Sequence, residues 1–128
     1  MEIINTLILS LSGLMLLFVG TMRISAPIKN YLKNSGIQLE NDVNLLNEIR
    51  GVSAVMLFAG IIILLGTIVP KLTLTSFVVA ILIFVGFVTS RLLSMVVDGK
   101  PNKQITQGII FELVLGTANI VGLISTLV

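Results

Sequence analysis

From Leu72 to Ser90 the chain carries no charged side chain, and Arg91 then stands inside a run that stays uncharged until Asp98. An uncharged stretch of this kind is about what a helix needs to cross a bilayer, roughly 20 residues at 1.5 Å each. Arg91 therefore belongs near the end of a membrane-spanning helix. Phe84, Phe87, Ser94 and Asp98 share its face, at the i−7, i−4, i+3 and i+7 positions of one helical stripe. An ionised side chain in the membrane costs a few kcal/mol even on lenient insertion scales, so it faces a partner, a cavity or a ligand.

The rest of the chain repeats the pattern. Residues 3–22 are uncharged, as are residues 51–69, and residues 104–127 are charged only at Glu112. Only 11% of the 128 residues are charged, against about 25% in a soluble domain, so an integral membrane protein is expected. The reading is a single all-α membrane domain over residues 1–128. It is a four-helix bundle with spans near 3–22, 42–69, 72–97 and 104–127, short connections, and one longer segment between the first two helices. A cleaved signal peptide is the competing reading of residues 3–22. Glu2, however, stands where a positive n-region belongs, and Pro27 follows the one small-residue cleavage site, so the helix is expected to be retained. Ser10, Ser12 and Gly13 give that helix small positions for close approach by a neighbour.

Residues 23–41 form the long polar segment. A short helix capped by Ser25, with Pro27 in its first turn, would put Ile28, Tyr31 and Leu32 toward lipid, put Lys29 and Lys33 toward headgroups, and end at Gly36. An ordinary basic loop is the alternative. Asn41 or Asp42 starts the second long helix, Pro70 and Lys71 make a tight turn, and residues 98–102 are a turn by composition. With four spans, seven of the eight basic residues gather at the end opposite the termini, leaving only Lys71 beside them. The positive-inside rule then puts both polar connections in the cytoplasm and both termini outside.

Helical rise places Arg50 ~12 Å, Arg91 ~10 Å and Glu112 ~6 Å from mid-helix toward the same side, so these three can share a layer. Gln104, Gly108, Glu112, Gly116 and Asn119 form a polar and glycine stripe suited to a bundle interior. Asn47 shares a face with Arg50, whereas Glu48 lies about 200° around the helix from it, so Arg50 is expected to pair with Glu112 or Asp98. Glu48 and Asp98 sit nearer to water. The candidate binding residues are thus Arg50, Arg91, Glu112, Asp98, Glu48, Asn47 and Ser94. Two readings of this cluster are open: salt bridges that fix helix order, or a cavity whose guanidiniums take a carboxylate or phosphate. In the second reading Glu112 orients the arginines or carries a proton. Packing is the expected role of Phe84 and Phe87, and an interhelical hydrogen bond that of Asn119.

Cys and His are both absent. Disulfides, thiol nucleophiles and the common transition-metal and haem ligands are therefore missing, so no cofactor, metal site or catalytic residue is expected. Between the members of the Lys29/Lys33 and Lys100/Lys103 pairs Tyr31 is the one aromatic, too little interleaving for a nucleic-acid surface, so lipid contacts are expected.

On Asn47-Glu48-Ile49-Arg50-Gly51, on Gly86 with Ser90-Arg91 and Asp98-Gly99-Lys100-Pro101, and on Glu112, the chain resembles a family of small four-helix bacterial inner-membrane proteins. That family is classified as a domain of unknown function and is broadly similar to the DoxX-like membrane proteins. The resemblance covers most of the chain from Pro27 onward; it implies the four-helix architecture and a bacterial inner membrane, and it lends no reaction. The expected activity is non-enzymatic binding of an amphiphilic anion, such as a lipid headgroup, fatty acid or isoprenoid phosphate, or of a partner helix. The alternatives are a proton-coupled transporter using Glu112 and an accessory subunit of a membrane redox enzyme. The expected partners are membrane lipid and either a second copy or another membrane protein.

Overall fold

The computed structural model describes residues 2–128. It contains five α-helices and, among the described residues, no strand: α1 (Ile3–Ser25), α2 (Pro27–Ser35), α3 (Val43–Ile68), α4 (Thr73–Asp98) and α5 (Lys103–Leu127), with a single 3₁₀ turn at Pro70–Leu72 between α3 and α4. The four long helices are each long and apolar enough to cross a membrane, which is the all-α architecture expected. They end within three residues of the expected positions, the largest difference lying where α1 runs on to Ser25 and every other end falling within one residue.

Local chemistry sets these ends. The Asp42 carboxylate accepts from the Asn44 amide and starts α3, and Asn102 Oδ1 accepts from the Ile105 amide and starts α5. Gly36 closes α2 at φ 66°, with its N–H on the Leu32 carbonyl, a left-handed position that glycine enters without Cβ strain. The expected Ser25 cap is not made. Ser25 Oγ instead donates back to the Met22 carbonyl, and Asn30 Nδ2 holds the α1–α2 elbow by donating to the carbonyls of Met22 and Ala26 at 2.9 and 2.8 Å.

The long helices form an antiparallel ring in the order α1, α3, α4, α5, with α1 against α3 the most extensive packing in it. The core is Leu9 and Leu16 of α1, Met56, Ala59 and Ile63 of α3, and Phe77, Ala80 and Phe84 of α4. Outside it lie Phe18, Phe58, Leu82 and Phe111, one from each long helix, between 62% and 69% exposed. A surface with large apolar side chains on every long helix suits lipid as the surrounding medium, not water.

The seam between α5 and α1 is the loosest in the ring. Toward the termini it is pinned by Asn119 Nδ2 donating to Ser12 Oγ at 2.9 Å and Asn5 Nδ2 donating to Ser125 Oγ at 3.4 Å. Toward the connections it parts, and α2 lies across the opening. Asn102 Nδ2 and Gln104 Nε2, at the start of α5, hold α2 there by donating to the carbonyls of Ser35 and Lys33 at 2.9 and 3.0 Å.

Candidate functional site

Below α2 the parted seam encloses a cavity of about 290 Å³. Its floor is apolar, made by Leu16, Met56 and Phe84, and its mouth carries Arg23, Arg91, Glu112 and Gln104. Each charged side chain comes from a different helix. Arg23 is in the last turn of α1, Arg91 two turns before the end of α4, and Glu112 midway along α5.

Arg91 Nη2 stands 3.4 Å from Glu112 Oε1, the one salt bridge among the described residues. The Arg91 guanidinium also lies over the Phe87 ring, 5.8 Å from its centroid. Gly108 lies beside the guanidinium, a Cβ there standing 3.7 Å from Arg91 Nη1, an ordinary van der Waals contact. Glu112 is buried and its Oε2 has no hydrogen-bond partner. Arg23 has no carboxylate within salt-bridge distance among the described residues. Its guanidinium instead stacks on Tyr31 of α2, 4.4 Å from the ring centroid. Two cations and one anion line the cavity, leaving one positive charge uncompensated.

Arg91 and Glu112 are thus brought together as the helical rise suggests, but Arg50 is not with them. Its Nε donates to the Ile24 carbonyl at 3.0 Å, satisfying one of the acceptors left open at the C-terminus of α1. The expected pairing with Glu112 fails for a topological reason: α3 sits diagonally from α5 in the ring, beside α1. Asp98 is on the neighbouring α4 but is exposed and makes no salt bridge with Arg50. Arg50 borders a shallow groove at the α1–α2 elbow with Lys29 and Asn41. Asn47 and Glu48 are exposed in the second turn of α3. Asp98 ends α4, accepts from Ser94 Oγ at 3.1 Å, and lies exposed with it, outside the cavity. Phe84 and Phe87 do pack and also line the cavity, and Asn119 makes the expected interhelical bond.

Arg23 and Tyr31 are the residues that the sequence reading passed over as site members. Arg23 counted there only as a topology charge, and Tyr31 was expected to face lipid. A signal for Arg23 existed: Ser12, Leu16, Val19 and Arg23 follow at spacings of four, three and four along one face of α1. Among the described residues no three His, Cys, Asp or Glu side chains cluster as metal ligands.

The helices that build this cavity lie almost wholly within residues 4–123, which match the model of a domain of unknown function, DUF4345. The chain belongs to that family. The DUF4345 match takes in Arg23, Tyr31, Arg91, Gly108 and Glu112, so the entire charged cavity is part of the family's domain. No curated protein and no solved structure matches the chain.

Proposed function

We propose that this DUF4345 protein is a non-enzymatic membrane protein that binds an amphiphilic anion in the cavity between α1, α4 and α5. The observation that carries the reading is the excess of one guanidinium at the mouth of an apolar cavity. Guanidinium forks suit carboxylate and phosphate, and binding an anion would offset the remaining charge. At about 290 Å³ the cavity is at the small end of ligand sites, roughly 300–1,000 Å³, so it holds a headgroup and not a whole lipid. The tail has a way out past Phe18, which lines the cavity and is 64% exposed on the outer surface.

The test is native mass spectrometry of gently solubilised protein. Arg23→Leu and Arg91→Leu should lose a co-purifying anionic amphiphile at least tenfold, while Arg50→Leu, whose side chain only caps α1, should keep it. Retention in both cavity variants of a folded protein would overturn the reading.

The same reading places the protein in a bacterial inner membrane with α2 and the α4–α5 turn in the cytoplasm, because seven of eight basic residues lie at that end. A reporter fused after Val128 should be active only if it functions in the periplasm; cytoplasmic activity would reverse the orientation. The alternatives fit less well. A proton-coupled transporter would use Glu112, but that carboxylate is tied to Arg91 at 3.4 Å. A DoxX-like redox subunit would need its chemistry from a partner, since the chain has no His or Cys.

A further inference from the structure

Glu112 puts an acceptor where an anion site has no use for one. Its side chain is only 8% accessible, Oε1 faces Arg91, and Oε2 is buried with no donor. A buried carboxylate oxygen that stays unpaired is costly. A ligand that is only an anion, such as a fatty acid, would occupy the guanidiniums and leave that oxygen as it is. We propose that the ligand is a phosphodiester whose alcohol carries a free hydroxyl, its phosphate held by Arg23 and Arg91 and its hydroxyl donating to Glu112.

This rests on the binding reading above and sharpens it to a class of headgroup. The charges agree: two guanidiniums and one carboxylate line the cavity, and a phosphodiester brings one negative charge. The geometry agrees as well. Arg23, Arg91 and Glu112 project from three different helices around one mouth, so phosphate and hydroxyl can meet different walls. The Glu112 carboxylate turns about a broad, two-fold terminal torsion, so either oxygen can face the cavity while the other stays on Arg91. The same chemistry is offered by a phosphatidylglycerol-type lipid and by a soluble glycerol phosphodiester, and the apolar floor favours the lipid.

The experiment titrates delipidated protein in a non-ionic detergent, by native mass spectrometry, with three lipids of identical chains. These are phosphatidylglycerol, phosphatidylmethanol, which keeps the charge and lacks the hydroxyl, and phosphatidylcholine. Wild type should bind phosphatidylglycerol about tenfold more tightly than phosphatidylmethanol, the discrimination expected of a hydrogen bond to a charged group. Glu112→Met should bind the two equally and still prefer both to phosphatidylcholine, and Glu112→Gln, which keeps a carbonyl acceptor, should retain part of the preference. Displacement of the bound lipid by glycerophosphoglycerol would assign the headgroup to a soluble source; failure to displace it would assign it to the membrane. Equal wild-type binding of the two anionic lipids above phosphatidylcholine would overturn this inference and leave the anion site standing. No preference for either over phosphatidylcholine would overturn the anion site itself. Should Glu112→Met not fold, the wild-type comparison alone decides.

Discussion

Replacing Gly60 with leucine is expected to abolish the folded bundle. A Cβ at Gly60 would lie 2.7 Å from the Leu17 amide nitrogen and 2.8 Å from the Gly13 carbonyl oxygen. These are main-chain atoms, which cannot swing aside as a side chain can. Gly20 meets the facing helix in the same way, its Cβ position lying 2.7 Å from the Leu57 nitrogen and 2.8 Å from the Ser53 oxygen. Gly13 and Gly20 are seven residues apart on α1, as are Ser53 and Gly60 on α3. Two antiparallel helices thus touch backbone to backbone over two turns, the close approach by which helices associate in lipid, where burial of apolar surface gives no drive. Gly60→Ala should cost about 1–3 kcal/mol by overpacking, offset by up to ~1 kcal/mol of better helix propensity. Leucine adds three more carbons and must push α1 off α3. In thermal melts in detergent, Gly60→Ala should lower Tm by several degrees and Gly60→Leu should show no cooperative transition. Gly51→Ala and Gly86→Ala, where nothing lies within 4 Å of the added carbon, should melt at or slightly above wild type. A Gly60→Leu protein that melts like these controls would refute the backbone contact.

The fold was legible in the sequence because each long helix announces itself through length and apolarity, and because its ends carry ordinary signals: Asp42 and Asn102 at starts, Gly36 and Gly99 at stops. What periodicity could not give was the order of helices around the ring. Ser12 and Gly13 read correctly as close-approach positions, but nothing on one helix says which neighbour approaches. The partner of Arg50 was missed for that reason. A depth count places Arg50 and Glu112 in one layer, yet depth is one coordinate of three, and the diagonal placement of α3 and α5 separates them.

The site was legible in part for a related reason. Arg91 and Glu112 each stand out as a charge inside an apolar helix, so their isolation marks them. Arg23 stands where apolar helix gives way to polar segment, the usual place for a basic topology signal, and only its packing under Tyr31 sets it apart. That packing depends on the α1–α2 elbow, which Asn30 holds by bonds to Met22 and Ala26. Such bonds depend on the bend itself, which leaves no periodic trace.

The second large effect expected is an asymmetry between the two halves of the Arg91–Glu112 pair. Arg91→Met should destabilise the protein by about 3 kcal/mol, the low end of what removing one partner from a buried pair costs, because 31% of the Arg91 side chain is accessible and the pair is not fully desolvated. The change strands a carboxylate whose other oxygen is already unpaired. Glu112→Met should cost less, about 1 kcal/mol, since the freed guanidinium still lies over Phe87 and its long stem lets it reach toward the polar end of the bundle. The double variant Arg91→Met/Glu112→Met should recover most of the loss, as apolar replacements of buried ion pairs commonly do. Unfolding of all four proteins in the same micelle, assembled into a double-mutant cycle, measures the coupling directly. Arg91→Met no less stable than Glu112→Met, or a double variant as unstable as Arg91→Met alone, would remove the pair from the forces that hold α4 to α5. The double variant also separates structure from binding, because it restores the packing while leaving Arg23 as the sole charge in the cavity. If wild type binds an anionic lipid, a stable double variant that binds it as tightly would show that the arginine pair is not what holds it.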